Sequence, residues 1–210
     1  MNETMPAKAR PDSIECYAAE FEAEGPLDAS AYAKLLLPAF DFERPAFAPD
    51  QPFAASTEVF LMPDITVSWA KITASRFTRT MRTFAARGTD QILVVCYRSG
   101  YFDMTAGGQT KRVETGELAF IDLSQETTIE TPRVDTISLA ISRRKLEAMV
   151  PLLDTAHGFV RPNDALAGLL RALMEGIVAS GPDMPVVDAR GISGAVLHLV
   201  AACLEPLSRQ

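Results

Sequence analysis

The side chains best suited to metal or nucleophilic chemistry are few in this sequence and far apart. The chain has two histidines, His157 and His198, and three cysteines, Cys16, Cys96 and Cys203. A metal site in a small β-barrel needs three or four imidazole or carboxylate ligands on adjacent strands, because each ligand must project to a common point. Both histidines fall outside the predicted strands, which favours a structural role for each. We therefore expect no metal site and no cofactor, although a site built from Asp and Glu alone stays open.

Sequence motifs for catalysis are also missing. The chain lacks a nucleophile elbow, a P-loop, a dinucleotide fingerprint and an HExxH motif. Cys96 lies in an apolar run, without a histidine nearby in the sequence, and is interpreted as a small core residue. The expectation is a binding protein and not an enzyme.

One arginine-rich stretch could bind an anion. The segment "SRFTRTMRTFAAR" contains Arg76, Arg79, Arg82 and Arg87, and a guanidinium group offers a rigid fork to carboxylate or phosphate. The alternative, which we favour, is a solvated strand edge or connecting segment whose charge prevents edge pairing. Arg79 is kept as a candidate ligand contact.

Aromatic residues in the predicted strands are the other candidates for a ligand pocket. Tryptophan and tyrosine combine an apolar ring with a polar group that needs a partner, so they suit a pocket wall. Core packing is the favoured alternative, because the interior side chains of a small barrel can also fill it. The complete set predicted to bind ligand is Trp69, Tyr97, Phe120 and Arg79.

Length and composition limit the class of protein. The 210 residues are 48% hydrophobic, enough for one generous domain or a domain with an appendage. The net charge of −7 argues against a large phosphate-binding surface. The start "MNETMPAKARPDS" lacks the apolar core of a signal peptide, and no apolar run approaches the roughly 20 residues that span a bilayer. The scattered cysteines suit a reducing compartment. We expect a cytoplasmic protein without membrane contact.

The order of sequence patterns predicts three regions. Residues 1–57 are expected to form an N-terminal arm with a short helix at "DASAYAKLLLPAF". Residues 58–141 contain eight short β-type runs, and turn signals recur about every eight residues through the middle of the series, as in a β-sandwich or barrel. In "TAGGQT" a Gly-Gly pair can supply the positive φ angles of a two-residue turn. Residues 142–210 are expected to be helical, so the fold class is α+β.

The helical region carries two long apolar stripes. Ser142, Asn163 or Asp164, and Asp188 are the expected N-caps of three successive helices. Because two stripes exceed what a small barrel needs to cover one face, we expect helices near 164–178 and 189–205 to form a symmetric dimer interface. The alternative is that both stripes pack only on the barrel and on each other. The interface residues predicted are Leu166, Leu169, Leu173, Ile192, Val196, Leu199 and Cys203.

The segment from about residue 93 to residue 151 resembles the N-terminal sensing domain of AraC-type transcriptional regulators. The resemblance rests on a strand ending at Gly100, the Gly107-Gly108 hairpin, the strand "TGELAFID", the polar "LSQETTIETPR" and the strand-to-helix run "ISLAISRRKLEAMVP". Extended loosely in both directions, the likeness covers about two-thirds of the chain.

The resemblance implies a cupin-like double-stranded β-helix barrel that senses a small organic effector, followed by helices that pair two subunits. The family's C-terminal helix-turn-helix units are missing after Leu207, so DNA would be contacted only through a domain outside these residues. The alternatives are a cupin-type enzyme, an isomerase or dioxygenase, and a dimerisation scaffold with a filled barrel.

Overall fold

The computed structural model describes residues 5–6, 12–23, 32, 39–48 and 51–209. Its strands are β1 (Met5–Pro6), β2 (Glu15–Ala23), β3 (Asp41–Glu43), β4 (Phe53–Met62), β5 (Ile65–Ile72), β6 (Ser75–Arg79), β7 (Gln91–Ser99), β8 (Phe102–Ala106), β9 (Gln109–Val113), β10 (Leu118–Asp122), β11 (Thr127–Thr131), β12 (Val134–Ser142) and β13 (Phe159–Arg161). The α-helices within these residues are α1 (Met81–Arg87), α2 (Arg143–Glu147), α3 (Ala165–Ser180) and α4 (Val186–Leu204).

Strands β5 to β12 form one antiparallel ribbon that folds back on itself. The ribbon turns at Gly107-Gly108, and its two arms pair in nested order: β8 with β9, β7 with β10, β6 with β11, and β5 with β12. Successive pairs lie alternately in a five-stranded sheet (β3-β6-β11-β8-β9) and an eight-stranded sheet (β1-β2-β4-β5-β12-β7-β10-β13). A ribbon wound in this way is a double-stranded β-helix, and the predicted cupin-like α+β fold is confirmed.

The central strands β7 and β10 of the eight-stranded sheet are buried on both faces. Because side chains alternate along a strand, Val94 and Cys96 of β7 pack toward the helices while Val95 and Tyr97 point into the barrel. The protein therefore has two hydrophobic cores, one inside the barrel and one between the sheet and the helical layer.

Helices α3 and α4 cover the outer face of the eight-stranded sheet. Asp164 caps α3 as expected, its Oδ1 accepting a hydrogen bond from the amide of Ala167 at 2.9 Å. Ser142 is the N-cap residue of α2, as expected, but its side chain makes no capping hydrogen bond. The cap expected at Asp188 is wrong, because α4 begins at Val186 after Pro185 and Asp188 lies inside its first turn. Proline needs no hydrogen-bonding partner for its nitrogen at this end of a helix.

The segment Val186–Leu207 is long and apolar enough to cross a membrane by length and composition alone. The core helix of a globular protein passes the same test. Val196, Val200 and Cys203 of this helix are fully buried in the core that α4 shares with the sheet, as in a core helix.

The structure adds strands to the barrel that the sequence patterns did not indicate. The strand expected from Glu58 begins at Phe53, and β2 and β3, from the region expected to be an arm, pair with β4 and β6. The arginine-rich segment forms β6 and α1. Most of the short helix expected at residues 28–40 lies outside the described residues.

Candidate functional site

The four residues predicted to bind ligand do not meet in one cavity. Trp69 and Phe120 belong to the core between the eight-stranded sheet and the helices, and Trp69 Nε1 donates a hydrogen bond to Asp135 Oδ1 at 2.9 Å. Tyr97 points to the opposite face of that sheet, into the barrel. Arg79 is buried with 1% of its surface exposed. Their contact with a ligand stays a prediction, but they cannot surround one molecule together.

The barrel interior is packed with this chain's own side chains. The ring centroids of Tyr97 and Phe102 lie 4.4 Å apart, and Tyr32 packs 5.3 Å from Phe53. Burial raises the pKa of Tyr32 and Tyr97 above the usual range, so both hydroxyls keep their protons. A ligand would find space more readily at the surface of the barrel than among these rings.

A cleft of about 760 Å³ opens at one end of the five-stranded sheet, and we call it the rim cleft. Its volume falls in the range of small-molecule sites. Three connections build it: the end of β6 with the start of α1, the β8–β9 hairpin tip, and the β10–β11 loop. The residues lining the rim cleft are Thr78, Arg79, Thr80, Met81, Thr105, Gly107, Gly108, Ser124, Gln125, Glu126, Thr127, Thr128 and His157.

Local sequence explains the shape of two walls. Gly107 and Gly108 have φ angles of 56° and 76°, which glycine adopts without strain, so the hairpin turns tightly beside the rim cleft. On the other wall Thr80 is the N-cap of α1, its Oγ1 accepting a hydrogen bond from the amide of Thr83 at 3.2 Å. This cap holds Met81 at the entrance with 53% of its surface exposed.

Hydroxyl groups dominate the lining of the rim cleft. Five threonines and one serine contribute to it. Thr78 and Thr127 have buried hydroxyl oxygens that find no hydrogen-bond partner among the described residues. A buried hydroxyl without a partner costs free energy. Such groups can donate and accept hydrogen bonds to a bound molecule.

A buried carboxylate fixes the β10–β11 loop, which forms the floor of the rim cleft. Asp122 is 1% exposed, accepts hydrogen bonds from Ser124 and Gln125, and forms an ion pair with Arg143 of α2. Burial alone would raise the pKa of Asp122, but these hydrogen bonds outweigh burial and hold that pKa below its usual range. Arg143 also pairs with Asp154, so the same cluster joins the cleft floor to the first turns of the helical region.

His157 bridges the two ends of that loop. Its Nδ1 accepts a hydrogen bond from the amide of Asp122 at 3.3 Å, and its Nε2 lies 3.1 Å from the carbonyl oxygen of Glu126. Only the neutral tautomer with the proton on Nε2 satisfies both contacts. Burial lowers the pKa of His157, against the opposing effects of the Glu126 carbonyl and the Asp122 carboxylate.

This lowered pKa predicts a pH dependence of folding. Because the native state binds the His157 proton more weakly than the unfolded chain, the free energy of unfolding should fall as pH drops below about 6.5 toward the lower native pKa. Urea titrations between pH 7.5 and 5.5 measure the loss. His157→Gln should flatten the curve. An unchanged curve in His157→Gln would contradict the assignment.

Arg79 hydrogen-bonds to backbone groups of the protein at the base of the rim cleft. Its guanidinium donates hydrogen bonds to three backbone carbonyl oxygens, that of Leu123, that of Ala39 at a distance of 2.6 Å and that of Thr89 at a distance of 3.4 Å. These acceptors belong to three separate connections around the end of the barrel. The guanidinium therefore ties backbone segments together, which differs from the solvated edge favoured from the sequence.

Metal ligation finds no ready donor set. In the described part of the chain, no group of three or more His, Cys, Asp or Glu side chains is placed to hold a metal ion. His157 and His198 lie on different elements, one at the rim cleft and one on the exposed side of α4.

The residues predicted for the dimer interface divide into three groups by exposure. Val196 and Cys203 are fully buried within their own subunit. Leu169 has 60% of its surface exposed. Leu173 and Ile192 line a groove of about 580 Å³ between α3 and α4. Leu166, Leu173, Ile192 and Leu199 are partly buried at the edge of the core.

Sequence reasoning missed the threonines of the rim cleft. Thr127 and Thr128 are adjacent in "QETTIE", and Thr105 lies just before the Gly-Gly turn. Threonine is common in strands, so its presence alone gives no signal. Their shared end of the barrel follows only from strand pairing, which sets Thr128 opposite both Thr78 and Thr105.

Comparison with known proteins gives a likeness of fold. No protein-family model and no curated protein sequence matches the chain. The solved structure of the AraC-like transcriptional activator CuxR superposes with a TM-score of 0.80 at 18% identity, covering 90% of this chain and 70% of that one. Two further structures align over less than half of this chain, and no argument rests on them. EutQ of Clostridium difficile has a TM-score of 0.35 at 14% identity and covers 48% of this chain and 76% of that one. A cupin domain of an XRE family regulator from Enterobacter cloacae has a TM-score of 0.32 at 13% identity and covers 41% of this chain and 95% of that one. Nine-tenths of this chain thus has the fold of an AraC-like activator's barrel and helices.

Proposed function

We propose that this chain is the effector-binding and dimerisation part of an AraC-like transcriptional regulator. The barrel, residues 58–141 with strands from 1–57, senses a small organic molecule. The helices of 142–210 pair two subunits, and DNA is contacted through a separate domain. The likeness to the AraC-like activator, which extends over the barrel and the helices together, carries the proposal. The negative charge supports it, since this part need not approach phosphates.

The proposal places the ligand in the rim cleft and gives the chain no catalytic role. The packed interior favours a surface site, and the cleft walls come from connections that can adjust without breaking the sheets. Occupancy would act on the helices only if the ligand binds two arrangements with different affinity. The Asp122–Arg143 pair supplies a physical link between the cleft floor and α2.

The competing function is a cupin-type enzyme, an isomerase or dioxygenase. Elemental analysis of protein purified without chelators separates the two. A stoichiometric transition metal would favour the enzyme, and its ligands would have to be carboxylates, because the described strands contain no histidine.

Self-association is proposed through the outward faces of α3 and α4. The exposed face of α3 carries Ala165, Leu169, Ala172 and Gly176, small and apolar residues that let helices approach closely. A symmetric pair would place the same patch of each subunit against the other. A soluble cytoplasmic dimer is the state we propose.

Leu169→Glu tests this interface. Burying a carboxylate without a partner is unfavourable, so the variant is expected to sediment as a monomer where the unaltered chain sediments as a dimer, at about 100 μM, a concentration that reveals micromolar association. Leu152→Glu, a change at a 46% exposed leucine outside both helices, should leave the dimer intact. A monomeric unaltered chain, or a dimeric Leu169→Glu, would refute the interface.

A further inference from the structure

We propose that the end of the barrel away from the rim cleft contains a second site, in which Arg44 binds a small organic carboxylate with an apolar body. The inference goes beyond the proposed function, because Arg44 does not line the rim cleft. Two observations carry it. The Arg44 guanidinium is buried without a hydrogen-bond partner among the described residues, and it lies over an aromatic ring of the barrel core.

Strand pairing places Arg44 at the far end of the five-stranded sheet. β3 runs antiparallel to β6, with Asp41 opposite Thr78 and Glu43 opposite Arg76. Arg44 follows Glu43 and therefore lies beside the start of β6, whereas the rim cleft is built at the end of that strand. Because a strand rises about 3.3 Å per residue, the five residues of β6 separate the two sites by roughly 15 Å.

The guanidinium of Arg44 points into the barrel. Arg44 follows Phe42 by two residues, and Phe42 packs against the barrel core, so alternation places both side chains on the inner side. The guanidinium carbon lies 5.8 Å from the centroid of the Phe53 ring. Nε, Nη1 and Nη2 are all buried, although the residue as a whole is only partly buried. Arginine usually buries its carbon stem and leaves its charge in water, so Arg44 has the reverse arrangement.

The other two described arginines that lie over aromatic rings have hydrogen-bond acceptors. Arg79 donates to backbone carbonyl oxygens. Arg112, whose side chain is 51% exposed, donates two hydrogen bonds to Asp103. Within the described residues, Arg44 is the member of this group that lacks an acceptor.

A buried guanidinium requires an anion. Arginine keeps its proton in proteins, so titration cannot remove the charge, and a buried charge without compensation is unfavourable. The carboxylate of Glu43, the preceding residue, is directed to the outer side, with its Oε2 3.8 Å from Arg76 Nε. The planar fork of a guanidinium matches the two oxygens of a carboxylate, and one guanidinium compensates one negative charge. The site therefore fits a monocarboxylate better than a doubly charged phosphate.

The surroundings of the guanidinium favour an apolar body for this ligand. The ring centroids of Phe42 and Tyr32 lie 5.2 and 5.3 Å from that of Phe53, so the ring below Arg44 belongs to an aromatic cluster. Pro45, the next residue in the chain, is buried. Apolar surface of this kind gains free energy by covering carbon atoms. A short branched carboxylate meets both requirements, with its carboxylate on Arg44 and its methyl groups toward the rings.

The ligand-free protein gives the first test. Arg44→Met keeps an unbranched stem and removes an unpaired buried charge, so the melting temperature should rise by about 2–4 °C. Arg112→Met removes an exposed, paired guanidinium that also lies over a ring, and should leave the melting temperature within about 2 °C. A melting temperature of Arg44→Met that stays the same or falls would show that the guanidinium is satisfied within the protein, and would overturn the inference.

Isobutyrate and isobutyramide give the second test, because they share a skeleton and differ in charge. The Nε–H group of Arg44 gives a ¹⁵N signal that is identified by its loss in Arg44→Met. At constant ionic strength, we expect isobutyrate to shift this signal with a dissociation constant of about 1 mM, and isobutyramide to bind at least about tenfold more weakly. Followed at the backbone amide of Phe53, isobutyrate binding should weaken at least about tenfold in Arg44→Met and stay unchanged in Arg112→Met.

The outcomes separate this inference from the proposed function. Equal binding of the two compounds, or isobutyrate binding that survives Arg44→Met, would overturn the carboxylate site. An Arg44 signal that does not move at about 50 mM isobutyrate, well above the expected dissociation constant, would overturn it as well. Each of these results leaves the rim cleft unaffected. The proposed sensor function fails on a different result, namely that no compound of a broad library shifts residues 105–108 and 124–128.

Discussion

Arg79→Met is expected to destabilise the folded chain by about 3–5 kcal/mol. The methionine would fill part of the space, but the buried carbonyl oxygen of Leu123 and the half-buried carbonyl oxygens of Ala39 and Thr89 would lose this donor. Hydrogen bonds to a charged donor contribute more than neutral ones, and leaving acceptors unpaired adds the cost of their desolvation. The free energy of unfolding from urea titration measures the loss.

Arg76→Met is the matched control for this change. Arg76 lies three residues earlier on β6, so it points to the outer side, and it pairs with Glu130 at 2.7 Å in a half-exposed ion pair. Such pairs contribute about 0–1 kcal/mol. Equal effects of the two substitutions would mean that Arg79 does not hold the three connections together.

Asp122→Asn should cost a similar amount, about 3–5 kcal/mol, because it leaves the Arg143 guanidinium without its buried partner. The lowered pKa of Asp122 fixes the pH dependence of this difference. The carboxylate stabilises the native state above its unfolded pKa of about 3.9, and that stability is lost as pH falls below this value. The difference in the free energy of unfolding between the variant and the unaltered chain should therefore become smaller at low pH.

Asp103→Asn provides the comparison for Asp122. Asp103 also pairs with an arginine, Arg112, through two hydrogen bonds of 2.8 and 2.9 Å, but on the exposed face of the five-stranded sheet. Water screens this pair, so less than about 1 kcal/mol should be lost. If Asp122→Asn were as mild as Asp103→Asn, the buried cluster would not fix the cleft floor.

The barrel could be predicted from sequence because glycines mark its turns. Gly100, Gly107, Gly108 and Gly116 all have positive φ angles, and such turns mark strand ends before any pairing is known. The Gly-Gly turn lies at the centre of the nested ribbon. The early strands β2 and β3 were missed because prolines and polar residues separate them from the regular series, and their pairing partners lie far away in the chain.

The faces to which the predicted ligand residues point could not be told from the sequence, because the central strands of the eight-stranded sheet are covered on both sides. Every residue of β10 is buried, so its sequence contains no polar alternation that would tell the barrel side from the helix side. Trp69, Phe120 and Tyr97 were thus assigned to one pocket although they lie on opposite faces. For the same reason Val196 and Cys203 were assigned to a dimer stripe that packs on the sheet.

The central claim is that the ligand occupies the rim cleft of a sensor barrel. To test it, a small molecule that binds is first found in a mixed library and is then titrated into the ¹⁵N-labelled chain while the amide chemical shifts are recorded. We expect the largest shifts on residues 105–108 and 124–128 and on His157. Shifts centred on the interior residues Tyr97, Phe102 and Met104 would contradict it.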